Sequence, residues 1–503
     1  VNTLIIVLYF VVLLTIGIVG SRFLRGTSES YFLANRTIGP FVLLMSLFGT
    51  QMTAFALLGS SGEAYHRGIA VFAMMASSSA LIVPMVFHFL GRKIRVLGQR
   101  LGCLTQIQFF RARWQSEIVS GVLLVFILLL LIPYLLIGVM GAGVTFHQIT
   151  AGVVPEWMGS LIVCVVVFLY VVTSGLGGTS WVNTFQTLVF MTLGVVTFVY
   201  VSGELGGLGE AMHKVQKSHP QLLIIGGGVT GLELLSYLFI PLSAAMFPHL
   251  FMHWLSARAP QSFRLSVIAY PICICVLWIP TVLIGVMARI PFPNLAEAEV
   301  NSVLIRMIQH YSPDLLAGFL AAGVLAAIMS SLDSQVLAVS TIFTQDVVLH
   351  YGFHNQMSER IQVFSGRLFV ALILASCFLI SRFTDRSIFS LGIWSFTGFS
   401  ALLPVLLAAL FWRRSSKWGA LASIVVTAVL WVVFFWTRLN DSFSAVGLTG
   451  LLPVVVILPF STFAMIVVSL LTLPPNESTL EMFFPRRKYS NGEKMAEELG
   501  GSL

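Results

Sequence analysis

Thirteen stretches of about twenty mainly apolar residues, centred near residues 12, 50, 80, 130, 165, 190, 237, 275, 328, 373, 398, 427 and 462, alternate with short polar connections. An α-helix needs about 20 such residues to cross a hydrocarbon core of about 30 Å. Within that core each backbone amide and carbonyl has to be paired inside its own segment, so segments this long must be helices. With 57% hydrophobic and only 10% charged residues, the chain reads as an all-α polytopic membrane protein of about 13 transmembrane helices. Residues 1–473 form the transmembrane domain, and 474–503 form a polar cytoplasmic tail. The longest connections, roughly 206–222, 291–310 and 348–365, are too short for a soluble domain. The opening VNTLIIVLYF lacks a basic leader and a small-residue cleavage site, so it is expected to be a first span and not a removed signal peptide.

The net charge of +8 is unevenly placed. Connections on one side hold Arg22, Arg25 and Arg36, then Arg92, Lys93, Arg95, Arg100, Arg111 and Arg113. The same side continues with Arg258 and Arg264, Arg360 and Arg367, Arg413, Arg414 and Lys417, and ends with Arg486, Arg487, Lys488 and Lys494. That is 20 of the 28 Lys and Arg residues. The excess of basic residues in cytoplasmic loops puts the N-terminus outside and the C-terminus in the cytoplasm of a plasma membrane. The positive charge then faces anionic lipid, and no nucleic-acid partner is needed to explain it. Trp254, Trp278, Trp412, Trp418, Trp431 and Trp436 fall near proposed span ends, as an interfacial aromatic belt would. The five cysteines sit mostly in apolar runs, and Cys273 and Cys275 fall on different helix faces, which argues against a shared metal. No zinc-protease, phosphate-loop, nucleophile-elbow or dinucleotide motif appears, so an enzyme is not expected.

One apolar helix is not uniformly apolar. Ala326–Val347 reads AAIMSSLDSQVLAVSTIFTQDV, and Ser330, Ser334, Thr341 and Thr344 recur at intervals that share one helix face, with Ser331 and Asp333 alongside. A carboxylate at membrane depth costs at least ~2.5–3.5 kcal/mol and marks an ion or substrate path by default. The neighbouring hydroxyls are hard oxygen ligands suited to a small cation. A second signal comes from two spans with plausible breaks: Gly49-Thr50-Gln51 in the second, and Pro241 and Pro248 flanking Ser243, Ala244 and Ala245 in the seventh. Proline frees a carbonyl, and broken helices at corresponding places point to a midplane binding site.

With these features in view, the chain resembles the sodium/solute symporter family, which includes sodium/galactose, sodium/proline and choline transporters. Five motifs in order carry the resemblance: SESYFLANRTIGP (Ser28–Pro40), GTQMTAFALLGSSGEAY (Gly49–Tyr65), YVVTSGLGGTSWVNTFQTLVFM (Tyr170–Met191), FPHLFMHW (Phe247–Trp254) and the AAIMSS that opens the polar helix. It implies a leucine-transporter-like core of two five-helix inverted repeats, about 39–205 and 223–411, flanked by helices at about 3–23, 417–437 and 454–473. It also implies a sodium site made by the carbonyls of Gly49, Met52 and Ala327 and the hydroxyls of Ser330 and Ser331. Substrate is then expected against Gln51 and Phe55, against Ser243, Ala244, Ala245 and Phe247, and against Trp394, Ser395 and Phe396. That set is too poor in amides and charges for a sugar, whose hydroxyls each need a partner. A small organic acid, an amino acid, a vitamin-like solute or a quaternary amine fits it better.

The chain departs from the family pattern at three places, one of them Trp254, where several relatives carry an arginine at the cytoplasmic end of the segment. Asn183 stands where many members carry an acidic residue associated with a second cation, and Asp333 stands where sugar-transporting members have a small or hydroxyl residue. Asp333, with Asn183 and Ser334, is therefore the candidate for coupling: it could replace the missing charge, bind a cationic substrate group, carry a proton, or simply be satisfied between helices. The expected function is sodium-coupled import of a small-molecule solute by a protein embedded in the lipid bilayer as a monomer. Proton coupling through Asp333 and a transporter-like solute sensor are the alternatives.

Overall fold

The structure, a computed structural model, describes residues 2–21, 34–352, 358–384, 386–436, 444–445 and 448–485. Residues 28–33 of the first motif, Arg22 and Arg25, and the basic tail residues Arg486 to Lys494 lie outside the described residues. The described chain is helical apart from a pair of two-residue strands, Ser444–Ala445 and Leu448–Thr449. The first helix, α1, is Asn2–Ser21. Then come Pro40–Gln51 (α2) and Phe55–Arg67 (α3), a pair bent by 59°. Phe72–Arg100 (α4) leads through the short Gln106–Trp114 (α5) to Glu117–Ile149 (α6) and Glu156–Glu204 (α7). A second bent pair, Gly231–Ala245 (α8) and Pro248–Ser256 (α9), turns by 49°. Pro260–Met287 (α10), Asp314–Gly352 (α11), Arg360–Ser381 (α12) and Ile388–Phe411 (α13) follow. Lys417–Trp436 (α14), Val454–Leu471 (α15) and the short Glu477–Phe483 (α16) complete the order.

Nine of these helices are long and apolar enough to cross a membrane, or eleven when each bent pair is one span, among the described residues. The expected thirteen would need α7 to cross twice and α1, whose apolar stretch Leu4–Val19 is shorter, to cross once. Helix α7 has the length for it: its 49 residues extend over about 74 Å at 1.5 Å per residue, more than twice the hydrocarbon thickness. It is also interrupted at Gly175, whose φ of 53° and ψ of −167° leave the helical region. A side chain there strains the backbone by ~1–3 kcal/mol. Gly175→Ala is therefore expected to lower the melting temperature of the purified protein, read by thermal unfolding, while Gly203→Ala, in open space on the same helix, leaves it unchanged.

Helix α11 runs through the middle of the bundle: 83% of its most apolar window is buried, against 22% for α12. It packs on α7, α6, α2 and α1. The basic connections expected on one side meet at one end of the molecule. Arg36 Nη2 donates to the Cys103 carbonyl (3.2 Å), Arg95 to the carbonyls of Ala257 and Arg258, and Lys93 Nζ to that of Leu410 (2.6 Å). Arg113 Nη2 donates to the Trp412 carbonyl (3.0 Å), and burial draws its guanidinium down to about 10, still charged at neutral pH. At the other end, Arg67 pairs with Glu233 at 2.7 Å, and Glu233 also closes a capping box with Thr230 at the start of α8.

The aromatic belt is corrected by the structure. Trp418 and Trp436 are exposed, but Trp254, Trp278 and Trp431 are buried. Trp278 Nε1 donates to the Ala56 carbonyl (2.6 Å) and Trp431 Nε1 to the Trp394 carbonyl (2.9 Å). These indoles join helices within the bundle. A buried Trp N–H usually finds such an acceptor, although Trp254 Nε1 has none among the described residues, and sequence position alone does not tell a buried indole from an interfacial one.

Candidate functional site

The first break follows from how Thr53 spends its neighbours' amides. Helix α2 ends at Met52, whose φ and ψ of −85° and 79° are not helical. The amides of Phe55 and Ala56 would ordinarily serve the Met52 carbonyl. They go instead to Thr53 Oγ1 (3.0 Å) and to the Thr53 carbonyl (3.0 Å). The Met52 oxygen is thereby released from the helix ladder at membrane depth, where a carbonyl without a partner is costly. The second break has the same logic. Phe247 takes an extended ψ of 122°, which the following proline imposes, and α8 tightens into 3₁₀ turns over Ile240–Ala245. Side chains from other helices brace both breaks: Trp278 takes the Ala56 carbonyl, and Ser400 Oγ donates to the Ile240 carbonyl (2.9 Å).

Gly49 and Ser330 are brought face to face. A Cβ on Gly49 would lie 2.8 Å from Ser330 Oγ and closer still to Thr187 Oγ1, with the Asn183 carbonyl at 3.6 Å. The broken α2, the central α11 and the second half of α7 thus converge on one point lined by oxygen atoms. Ala327, Ser330 and Ser331 are all buried on α11, and Ser331 Oγ accepts from Gln335 Nε2 (2.6 Å). Two neighbours were not expected from sequence. Thr187 Oγ1 donates to the Met45 carbonyl (3.0 Å), and Thr50 Oγ1 is buried with no hydrogen-bond partner among the described residues.

Asp333 points elsewhere, into a fully buried polar nest between α11 and α7. Tyr170 Oη donates to Oδ2 (2.9 Å). With the Asn183 amide oriented to suit its neighbours, its nitrogen donates to both carboxylate oxygens, at 2.9 and 3.1 Å. The single Ser334 hydroxyl proton is shared between Asp333 Oδ1 (3.1 Å) and the Asn183 oxygen (2.7 Å). Gln186 Nε2 extends the network to Tyr9 Oη (3.2 Å) on α1. Each of these donors is neutral, and no basic side chain pairs with Asp333 among the described residues.

A cavity of about 40 Å³ lies between the two breaks. Of the expected substrate residues, Gln51, Phe55, Ser243, Phe247 and Phe396 line it. Ala244 and Ala245 are buried outside the lining, and Trp394 and Ser395 face other helices. Trp394 packs edge-on to Trp431 and Phe435, and Ser395 Oγ donates to the Leu130 carbonyl (2.9 Å). Successive helical residues point 100° apart, so only Phe396 of that triplet turns inward. Sequence reasoning missed Ser79 on α4, Tyr134 on α6, Tyr237 on α8, and Tyr270 and Trp278 on α10. Phe55, Phe247 and Tyr134 each stand 5.0–5.5 Å from Phe396, so the four rings form a cluster. No lining residue is charged.

The profile of the sodium:solute symporter family matches residues 31–427. The chain belongs to that family. It is a multi-pass membrane transporter and not an enzyme, and the family's activity is sodium-coupled symport of a solute. This symporter is 26% identical to the osmoregulated proline transporter OpuE of Bacillus subtilis over 95% of the chain and 96% of that relative. It is also 26% identical to the sodium/pantothenate symporter of Escherichia coli, over 85% and 89% of the two chains. Among solved structures, a substrate-bound, outward-open Na⁺-coupled sialic acid symporter superposes with a TM-score of 0.77 at 15% identity, covering 94% of this chain and 98% of the other. A nucleobase-cation-symport-1 family transporter superposes at 0.58 over 90% and 97%. The symporter accordingly has the leucine-transporter-like fold.

Proposed function

We propose that this symporter imports a compact, non-sugar organic solute together with sodium by alternating access, with its N-terminus outside and C-terminus in the cytoplasm. The observation that carries the reading is the meeting of Gly49 with Ser330, beside the released Met52 carbonyl. Sodium is held there by the carbonyls of Gly49, Met52 and Ala327 and the hydroxyls of Ser330 and Ser331. The site is neutral, so it holds a monovalent cation weakly enough to release it inside. Bound sodium bridges the broken helix to the central one, and solute in the adjacent cavity closes the outer path. The inward gradient drives the cycle, since one charge crossing the potential is worth ~2.3 kcal/mol per 100 mV.

The uncharged, aromatic cavity supports a solute with an apolar or onium body that rests on Phe55, Tyr134, Phe247 and Phe396, with Gln51, Ser79 and Ser243 serving a few polar groups. Amino-acid and vitamin-like solutes meet this description. The activities of two relatives, proline transport and sodium/pantothenate symport, lie in the same range. A second reading, coupling through a second cation or a proton at Asp333 with Asn183 and Ser334, is favoured by that carboxylate's shell of neutral donors.

Thermal stability against a solute panel, in sodium and in potassium buffers, tests both parts. A ligand of the folded state raises stability by RT ln(1 + [L]/Kd), ~2.7 kcal/mol at a hundredfold excess over Kd. Sodium alone is expected to stabilise, and one amino-acid or vitamin-like solute to stabilise further only with sodium present. Phe396→Ala removes one face of the ring cluster and is expected to weaken that solute at least tenfold, or ~1.4 kcal/mol, while the sodium effect persists. A protein indifferent to sodium at every pH tested would move the function to proton coupling.

A further inference from the structure

We propose that the groove bounded by Trp114, Gln115, Lys417, Trp418, Thr472 and Thr479 is a binding site for the phosphate-bearing headgroup of an anionic phospholipid. The groove has a volume of about 590 Å³ and lies where the end of α5, the start of α14, the end of α15 and α16 come together, away from the ion and solute sites. Its walls are tied down. Arg414 Nη1 donates to the carbonyls of Ser469 and Thr472, both at 2.8 Å, and Ser416 Oγ meets Thr472 Oγ1 at 2.6 Å. Trp114 Nε1 donates to the Ser415 carbonyl at 3.3 Å. The backbone turns sharply at Gln115 into the left-handed region (φ 45°, ψ 48°), which ends α5 at the groove edge.

Two groups in this frame lack partners. Lys417 is exposed, and no carboxylate pairs with it among the described residues; its ammonium lies only near the Trp418 ring, 5.5 Å from the centroid. Thr479, in the wall, is 1% exposed, and its Oγ1 has no hydrogen-bond partner among the described residues. A cation and a buried hydroxyl on one concave surface suit a phosphodiester, which carries one negative charge and accepts several hydrogen bonds. The rim supplies the other half of a lipid's chemistry. Trp418 is an exposed indole at a span end, where tryptophan sits at headgroup level, and Leu471 and Leu473 in the same lining are 81% and 87% exposed. Exposed leucines beside a free lysine fit acyl chains descending from an anionic headgroup. A zwitterionic headgroup would bring its own ammonium against Lys417. A basic side chain at the cytoplasmic end of a spanning helix is drawn to anionic lipid, and Lys417 is the basic residue that lines this groove.

Detergent-purified symporter, titrated separately with phosphatidylglycerol, phosphatidylcholine and inorganic phosphate, tests the assignment by thermal unfolding and native mass spectrometry. Phosphatidylglycerol is expected to raise the melting temperature and to be retained at least fivefold over phosphatidylcholine, with phosphate alone having no effect. Lys417→Gln is expected to weaken phosphatidylglycerol about fivefold, the factor that ~1 kcal/mol per basic side chain at an anionic surface represents, whereas Lys417→Arg retains the effect. Equal stabilisation by both lipids, stabilisation by phosphate alone, or an undiminished effect in Lys417→Gln overturns the site. If Lys417→Gln does not fold, the lipid preference of the unmodified protein decides: a ratio near one refutes the proposal.

Discussion

Gly49→Ala is expected to abolish both sodium-dependent uptake and stabilisation by sodium while leaving a folded, less stable protein. The new Cβ would stand 2.8 Å from Ser330 Oγ and closer to Thr187 Oγ1. Neither oxygen is at the end of a long side chain that can swing away. Ser330 is itself fully buried on α11, and Thr187 Oγ1 is held to the Met45 carbonyl. Helix α2 has to shift away from α11 and α7, which costs ~1–3 kcal/mol as overpacking does elsewhere. The same shift carries the Gly49 and Met52 carbonyls away from the Ser330 and Ser331 hydroxyls, so sodium should weaken more than tenfold, over ~1.4 kcal/mol. Ser330→Ala separates the two effects. It removes one oxygen without crowding, so it should lose the sodium response at nearly unchanged stability in potassium. The measurement is melting temperature across a sodium series, with initial uptake rates in proteoliposomes. A Gly49→Ala protein that keeps its sodium shift would show that the cation binds elsewhere.

The architecture was legible because membrane burial imposes a strong pattern. Apolar stretches of spanning length, a glycine-threonine pair in one span and two prolines in another are enough to locate the bundle and both breaks, which fall at Met52–Ala54 and at Met246–Phe247. The Gly49–Ser330 contact followed from the family resemblance, since no local signal links residues so far apart. The cavity wall was harder to read. Tyr134, Tyr270 and Trp278 sit in helices that are apolar on every side, where an aromatic residue facing the cavity has the same sequence signature as one facing a neighbour. Trp394 and Ser395 were placed in the wall together with Phe396 by the family resemblance, and one helical step is enough to turn a side chain out of it. Asp333 was recognised as exceptional from its chemistry. Its donor Tyr170, 163 residues away, was visible only as part of a motif.

Asp333→Asn is expected to raise stability and remove concentrative uptake together. The carboxylate is fully buried, and its donors, Tyr170, Asn183 and Ser334, are neutral. Burying a carboxylate with no charged partner is costly, so a neutral group of the same shape should cost less there, and a destabilising group kept at such depth marks function. An Asp held only for helix packing would behave in the opposite way, since losing its hydrogen bonds would lower stability and leave coupling intact. The decisive companion is the exchange Asp333→Asn with Asn183→Asp. The Asn183 nitrogen lies 2.9 and 3.1 Å from the two carboxylate oxygens, so the exchange restores one negative charge to the same nest from the α7 side. Recovery of uptake in the double variant, measured with counter-transported charge in sodium and in sodium-free acid gradients, would show that the nest needs a charge and not a particular helix to carry it. Recovery only with sodium would assign the nest to a second cation, and recovery in an acid gradient without sodium would assign it to a proton. Uptake unaffected by Asp333→Asn would remove this residue from the coupling machinery and leave Gly49, Met52, Ala327, Ser330 and Ser331 as the whole of it.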